Sequence, residues 1–157
     1  MKEIRLGAFF GCTKLSHLYL PKGLEIIESE AFRNCSSLVE LKIPDNIVEM
    51  GTLTFYECTA LQQVVLPEKL EEIGYMTFYE CSSLRFVKVP SNVTKIEKSA
   101  FWRCFNLEKI ELSKQVSYIG DGKFEDCFQL KEIVISEENP HYTSCDGVLF
   151  EKVSEKT

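Results

Sequence analysis

Seven cysteines and two histidines are the residues best suited to chemistry in this 157-residue chain. Six of the cysteines, Cys12, Cys35, Cys58, Cys81, Cys104 and Cys127, follow one another at an unvarying interval of 23 residues. Three uses for such a set compete. A metal site would want closely spaced ligand pairs closing a tetrahedron, but there is no Cys-x-x-Cys, and His17 and His141 are the only imidazoles. Disulfides would need side chains that converge. Packing asks only that cysteine be small and readily buried. If each interval is one coil of the chain, the sulfurs lie in a row about 5 Å apart and point the same way. Such a row fits neither a tetrahedron nor a bridged pair, so the packing use is favoured. Cys145 stands outside the series.

The remaining residues offer little catalytic chemistry. No G-x-S-x-G nucleophile motif and no glycine-rich phosphate loop occurs. The acids are scattered rather than paired, and neither histidine sits in a motif. The expectation is a non-enzyme with no metal and no cofactor. Two N-x-S/T sequons occur, at Asn34-Cys35-Ser36 and Asn92-Val93-Thr94. The first includes a cysteine of the series and should be poorly accessible.

The elements that set this spacing repeat throughout. The same interval carries Phe9, Phe32, Phe55, Phe78, Phe101 and Phe124, and also Leu15, Leu38, Leu61, Leu84, Leu107 and Leu130. Aliphatic residues recur at further positions, among them Leu18, Leu41, Val64, Val87, Ile110 and Ile133. The unit reads F-x-x-C-x-x-L-x-x-Φ-x-Φ-P-x-x-Φ-x-x-Φ, with Φ aliphatic, and no insertion breaks it from residue 4 to 135. A single coil cannot bury its apolar face; stacked neighbours do. The Φ-x-Φ segment alternates as a half-buried strand does, and proline after it ends the pairing. Stacking therefore predicts a parallel sheet on one side. The polar-Ala-Phe segments, such as 28–32, read as a short helical or 3₁₀ turn on the other wall.

The fold class expected is thus a repeat solenoid of about six 23-residue coils over residues 1–135, the first partial. Residues 136–152 leave the pattern, and Asp146-Gly147 predicts a hairpin turn there. Residues 153–157 read as a frayed polar tail.

The Cys-x-x-Leu-x-x-Φ-x-Φ-Pro and Ala/Thr-Phe-x-x-Cys segments resemble the bacterial surface antigen, or BspA-like, type of leucine-rich repeat, also called the Treponema pallidum type. The resemblance covers almost the whole chain. It implies a right-handed leucine-rich-repeat β/α superhelix with its parallel sheet on the concave face. It also implies a cell-surface or secreted protein concerned with adhesion to host or microbial components, although this chain shows no signal peptide or anchor sequence.

Charge narrows the partners. The formal net charge of −6 argues against nucleic acid, whose binders carry a basic face, and no apolar run is long enough to span a bilayer. The partner expected is a protein, with carbohydrate as a second class, and the chain itself is expected to be a monomer. Two surfaces compete for the partner. On the sheet, the positions between core residues give Tyr19, Lys42, Gln63, Val65, Phe86, Lys88, Lys109 and Glu111 as candidate contacts. On the opposite wall, Tyr56, Tyr79 and Trp102 follow the repeat phenylalanines and should align as an aromatic strip. The alternative functions are a spacer within a longer surface protein and an intracellular scaffold.

Overall fold

The structure, a computed structural model, describes residues 2–152; the tail expected at 153–157 lies outside them. The 23-residue period appears as six coils, numbered here by their phenylalanines from Phe9 in coil 1 to Phe124 in coil 6. Each coil runs through a short strand and a turn wall, and in coils 2–6 a longer strand follows. The short strands are Glu3–Ile4, Ile26–Ile27, Glu49–Met50, Glu72–Ile73, Lys95–Ile96 and Tyr118–Ile119. The longer ones are Glu40–Lys42, Gln63–Val65, Phe86–Lys88, Lys109–Leu112 and Glu132–Ile135. Pairing within both rows is parallel and offset by one period, as in Ile4↔Ile27 and Ile110↔Ile133. This is the parallel solenoid that the repeat implied.

The wall corrects one expectation. No described residue is helical, so the helical or 3₁₀ turns expected there are absent. The cause is backbone conformation. Two residues in every coil, two before and two after the phenylalanine, are left-handed, with φ between 49° and 69°. In coils 2 and 3 they are Glu30 and Asn34, then Leu53 and Glu57. A helix needs successive φ near −63°, and a left-handed residue at every fourth position forbids it. The wall N–H groups bond across to the next coil instead. Phe32 donates to the Thr54 carbonyl at 2.9 Å, Phe55 to Thr77 at 2.9 Å and Phe78 to Ala100 at 2.8 Å.

The core is a set of ladders. The phenylalanine rings of neighbouring coils stack with centroids 5.3–6.0 Å apart, and Phe32, Phe55, Phe78 and Phe101 are fully buried. Leu38, Leu61, Leu84 and Leu107 form another buried row. The cysteines do more than fill space. Each thiol from Cys35 to Cys127 donates to the phenylalanine carbonyl of the preceding coil, at 3.0–3.2 Å. All seven cysteines are free thiols.

Both strand rows stop at the same place. Glu49–Met50 does not pair with Glu72–Ile73, nor Gln63–Val65 with Phe86–Lys88. One long contact, Arg85 N–H to the Gln62 carbonyl at 3.5 Å, crosses the long-strand gap. The turn wall runs through unbroken, with Leu53, Phe55 and Glu57 donating to Tyr75, Thr77 and Tyr79. Glycine packing marks the same junction. A Cβ on Gly51 would lie 2.3 Å from Ser29 N, and one on Gly120 2.5 Å from Lys98 N, whereas one on Gly74 would meet nothing closer than 3.5 Å. A seam therefore divides coils 1–3 from coils 4–6 on the strand sides.

The C-terminal residues close over coil 6. Tyr142–Cys145 and Val148–Glu151 form an antiparallel hairpin, turning through Asp146 and Gly147 with φ of 49° and 79°, the signs a tight hairpin turn requires. Asn139 is buried. Its amide donates to the carbonyls of Lys114 and Val116, and its Oδ1 accepts from the N–H groups of His141 and Tyr142. The buried Tyr142 hydroxyl accepts from Ile119 N–H at 3.0 Å.

Candidate functional site

Along each long strand the odd and even residues face opposite ways, so the core rows point in and the positions between them form an outer face. Two lines of side chains result. One runs Glu40, Gln63, Phe86, Lys109, Glu132 and the other Lys42, Val65, Lys88, Glu111, Val134, in the register of the strand pairs. Phe86 and Val65 are 41% and 43% exposed.

Pairing groups the expected contacts unequally. Lys42, Gln63 and Val65 share one paired unit, and Phe86, Lys88, Lys109 and Glu111 share the other, on the far side of the seam. Tyr19 belongs to neither. Residues 17–20 of coil 1 form no strand, and Tyr19 is 94% exposed. His17 lies beside it, its Nδ1 3.0 Å from Ser16 Oγ.

Electrostatics differ between the two units. Glu132 and Glu111 hold the Lys109 ammonium at 3.2 and 3.3 Å, which raises its pKa. Lys42 and Lys88 form no ion pair among the described residues, although Glu111 is the cross-strand neighbour of Lys88. On the paired strands the outer face carries Lys42, Lys88 and Lys109 against Glu40, Glu111 and Glu132. It is formally neutral on a chain of net charge −6, so the excess acid lies elsewhere.

The second candidate surface is assembled as the spacing implied. Tyr56 and Tyr79 stack at 4.6 Å, and Trp102 meets Tyr79 edge to face at 5.4 Å. Arg33 extends the line, its guanidinium lying 4.8 Å from the Tyr56 ring centre and 5.5 Å from that of Phe10. Tyr56 and Tyr79 spend a face on each other, and the strip packs neighbouring coils together.

Sequence reasoning missed two features. Phe105 and Phe128 stack at 5.7 Å, and Phe128 is 73% exposed; the signal was an aromatic directly after the ladder cysteine in two consecutive coils. The other is a hollow of about 660 Å³ over the first three coils, whose edge is formed in part by Lys22, Asp45 and Asn46. Of the sequons, Asn34 lies in a left-handed wall turn beside buried Cys35. Asn92 donates its amide to the Glu68 carbonyl at 2.8 Å.

The family model of the BspA type leucine rich repeat region matches residues 2–131 and 49–154, in six copies. The chain belongs to this family. No curated protein is significantly similar in sequence. Among solved structures, a BspA-type chain of this kind is similar to a leucine rich cell surface protein from Faecalibacterium prausnitzii, with 34% identity and a TM-score of 0.73 over 74% of this chain and 31% of that one. It is similar to the T. pallidum leucine rich repeat protein, with 34% identity and a TM-score of 0.69 over 73% of this chain and 56% of that one. A leucine-rich repeat protein from Bacteroides ovatus shares 31% identity and a TM-score of 0.81 over 87% of this chain and 35% of that one. The chain thus spans about a third to just over half of the length of these leucine-rich-repeat proteins.

Proposed function

We propose that this BspA-type solenoid is a non-enzymatic protein-binding module, acting as a monomer at the cell surface or after secretion, with the outer face of its long strands as the docking surface. In this reading the strand face is the concave side of a right-handed coil, and its partner is a host or microbial surface component. The observation that carries it is the character of that face. It offers exposed Val65 and Phe86, with exposed Tyr19 beside it in coil 1, on a formally neutral surface of an otherwise acidic chain, and interface centres are depleted of charge and enriched in aromatic residues. The relation to a cell surface protein supports the location.

The test is capture of proteins from extracellular-matrix and cell-surface extracts. Wild type should retain a specific component that the double variant Phe86→Glu, Lys88→Glu loses. A wall variant, Tyr56→Ser, should keep it if it folds. Equal capture by wild type and the face variant would overturn the reading. Capture of nothing by wild type would leave the spacer role as the better account.

A further inference from the structure

The hollow of about 660 Å³ over coils 1–3 is ringed by polar side chains that hold nothing. Leu18 and Leu20 of coil 1 pack against the core, and the hollow opens outward over the strand face as far as Gln63 and Val65. Its volume falls within the roughly 300–1,000 Å³ usual for small-molecule sites. Glu40, Lys42, Asp45 and Gln63 line it, and none of their side chains enters a hydrogen bond or ion pair among the described residues. At the other end of the same face Lys109 is instead held between Glu111 and Glu132. Asn46 donates its amide to the Lys22 carbonyl at 2.9 Å and keeps its Oδ1 as an acceptor. On the rim stands Tyr19, at 94% the most exposed of the large apolar and aromatic side chains among the described residues. Unlike the wall tyrosines, it stacks on no other ring there.

We propose that this hollow binds a neutral oligosaccharide, with one pyranose ring laid on Tyr19. The inference goes beyond the protein-binding reading and does not depend on it. A sugar ring has an apolar C–H face and a rim of hydroxyls that both donate and accept. The face suits an amphipathic aromatic side chain whose ring is open. The hydroxyls call for donors and acceptors side by side. Both are present: Glu40, Asp45 and the Asn46 Oδ1 accept, Lys22 and Lys42 donate, and Gln63 does both. The two ammonium groups balance the two carboxylates, so the rim favours neither an anion nor a cation. The open side gives a chain of more than one ring somewhere to run, over Gln63 and Val65.

The experiment probes a glycan array with the full chain and then titrates the best ligand into isotope-labelled protein by NMR. The array carries neutral and acidic oligosaccharides of mammalian and of bacterial origin. Retention of a neutral pyranose oligosaccharide is expected, and its origin tells a host source from a microbial one. Amide shifts on titration should centre on Tyr19, Asn46 and Gln63. Tyr19→Ala should weaken binding about tenfold, and Tyr19→Phe should keep it within about threefold of wild type. Gln63→Ala should weaken it about three- to tenfold. Phe128→Ser, which removes another exposed ring away from the hollow, should leave it unchanged. Tyr19 is almost wholly exposed, so its loss should leave the fold intact, and unchanged affinity of Tyr19→Ala would overturn the proposal. So would an array on which no neutral glycan is retained, or one that retains only charged glycans. Phe86 and Lys88 do not line the hollow, so the capture experiment succeeds or fails separately.

Discussion

The thiol of Cys81 donates to the carbonyl of Phe55, 26 residues earlier, at 3.1 Å. That carbonyl also accepts the Cys58 N–H at 3.0 Å, so the phenylalanine carbonyls of coils 1–5 each serve two coils. A residue that looked chosen only for size is also a donor, at a fully buried position.

Replacing it should reveal both properties. Cys81→Ala keeps one of the carbonyl's two bonds and should cost about 0.5–1.5 kcal/mol. Cys81→Leu forces a larger side chain into a fully buried position and should cost about 1–3 kcal/mol or more. Urea denaturation of the two variants checks the order, and a reversed order would refute the packing account.

Burial should also govern thiol reactivity and alkaline stability. Burial pushes the Cys35 thiol up to about 11 from 9.0, and raises Cys58, Cys81 and Cys104 in the same direction. Only Cys12 and Cys145 are exposed, so these two should react first with a maleimide and the buried four only on unfolding. For stability, the unfolded thiols lose protons near pH 9 while the folded ones keep them. The folded state then binds more protons, and stability falls as pH rises. For Cys35 the window runs from 9.0 to about 11. Melting temperatures should be level below this window and decline through it. The decline should be shallower in a Cys35→Ala, Cys58→Ala variant; equal slopes would sink the assignment.

Glycine substitutions should distinguish the seam from its neighbours. Gly51→Ala places a methyl group 2.3 Å from Ser29 N and should cost about 1–3 kcal/mol as an overpacking change. Gly74→Ala makes only ordinary contacts and should stay within about 0.5 kcal/mol of wild type. Thermal melts of equal depression for both would show that the coils are equally tight at the two junctions.

Core and period can be tested together. Leu84→Ala empties a buried rung and should cost about 2–5 kcal/mol. Deleting residues 59–81, one full period, should leave a shorter protein with a cooperative melt by circular dichroism. Deleting 59–69 alone puts the ladders out of step and should abolish that melt.

The buried ladders were legible because burial selects residue type: phenylalanine, leucine and cysteine recur where the coil leaves no alternative. The outer face was legible for the same reason, through the alternation around residues such as Leu41 and Ile43. The wall was not. Its left-handed positions carry Glu30, Asn34, Leu53, Met76 and Arg103, and glycine appears there only in coils 1 and 6, at Gly7, Gly11 and Gly122. Backbone geometry is imposed by inter-coil bonds, which leave little mark on composition. The seam was hidden for a related reason, since the period runs across it without interruption, and so was the failure of residues 17–20 to pair.

The seam also decides where such a rod can bend. Its strand sides lack ladder bonds at one junction while the turn wall stays continuous there, with the rings of Phe55 and Phe78 stacked at 5.4 Å, so bending should concentrate at that junction. Val65 and Phe86 lie on the two long strands that face each other across it. A hinge there would change the spacing between them more than the spacing of any pair within one hydrogen-bonded unit, and so would set the aperture of the outer face.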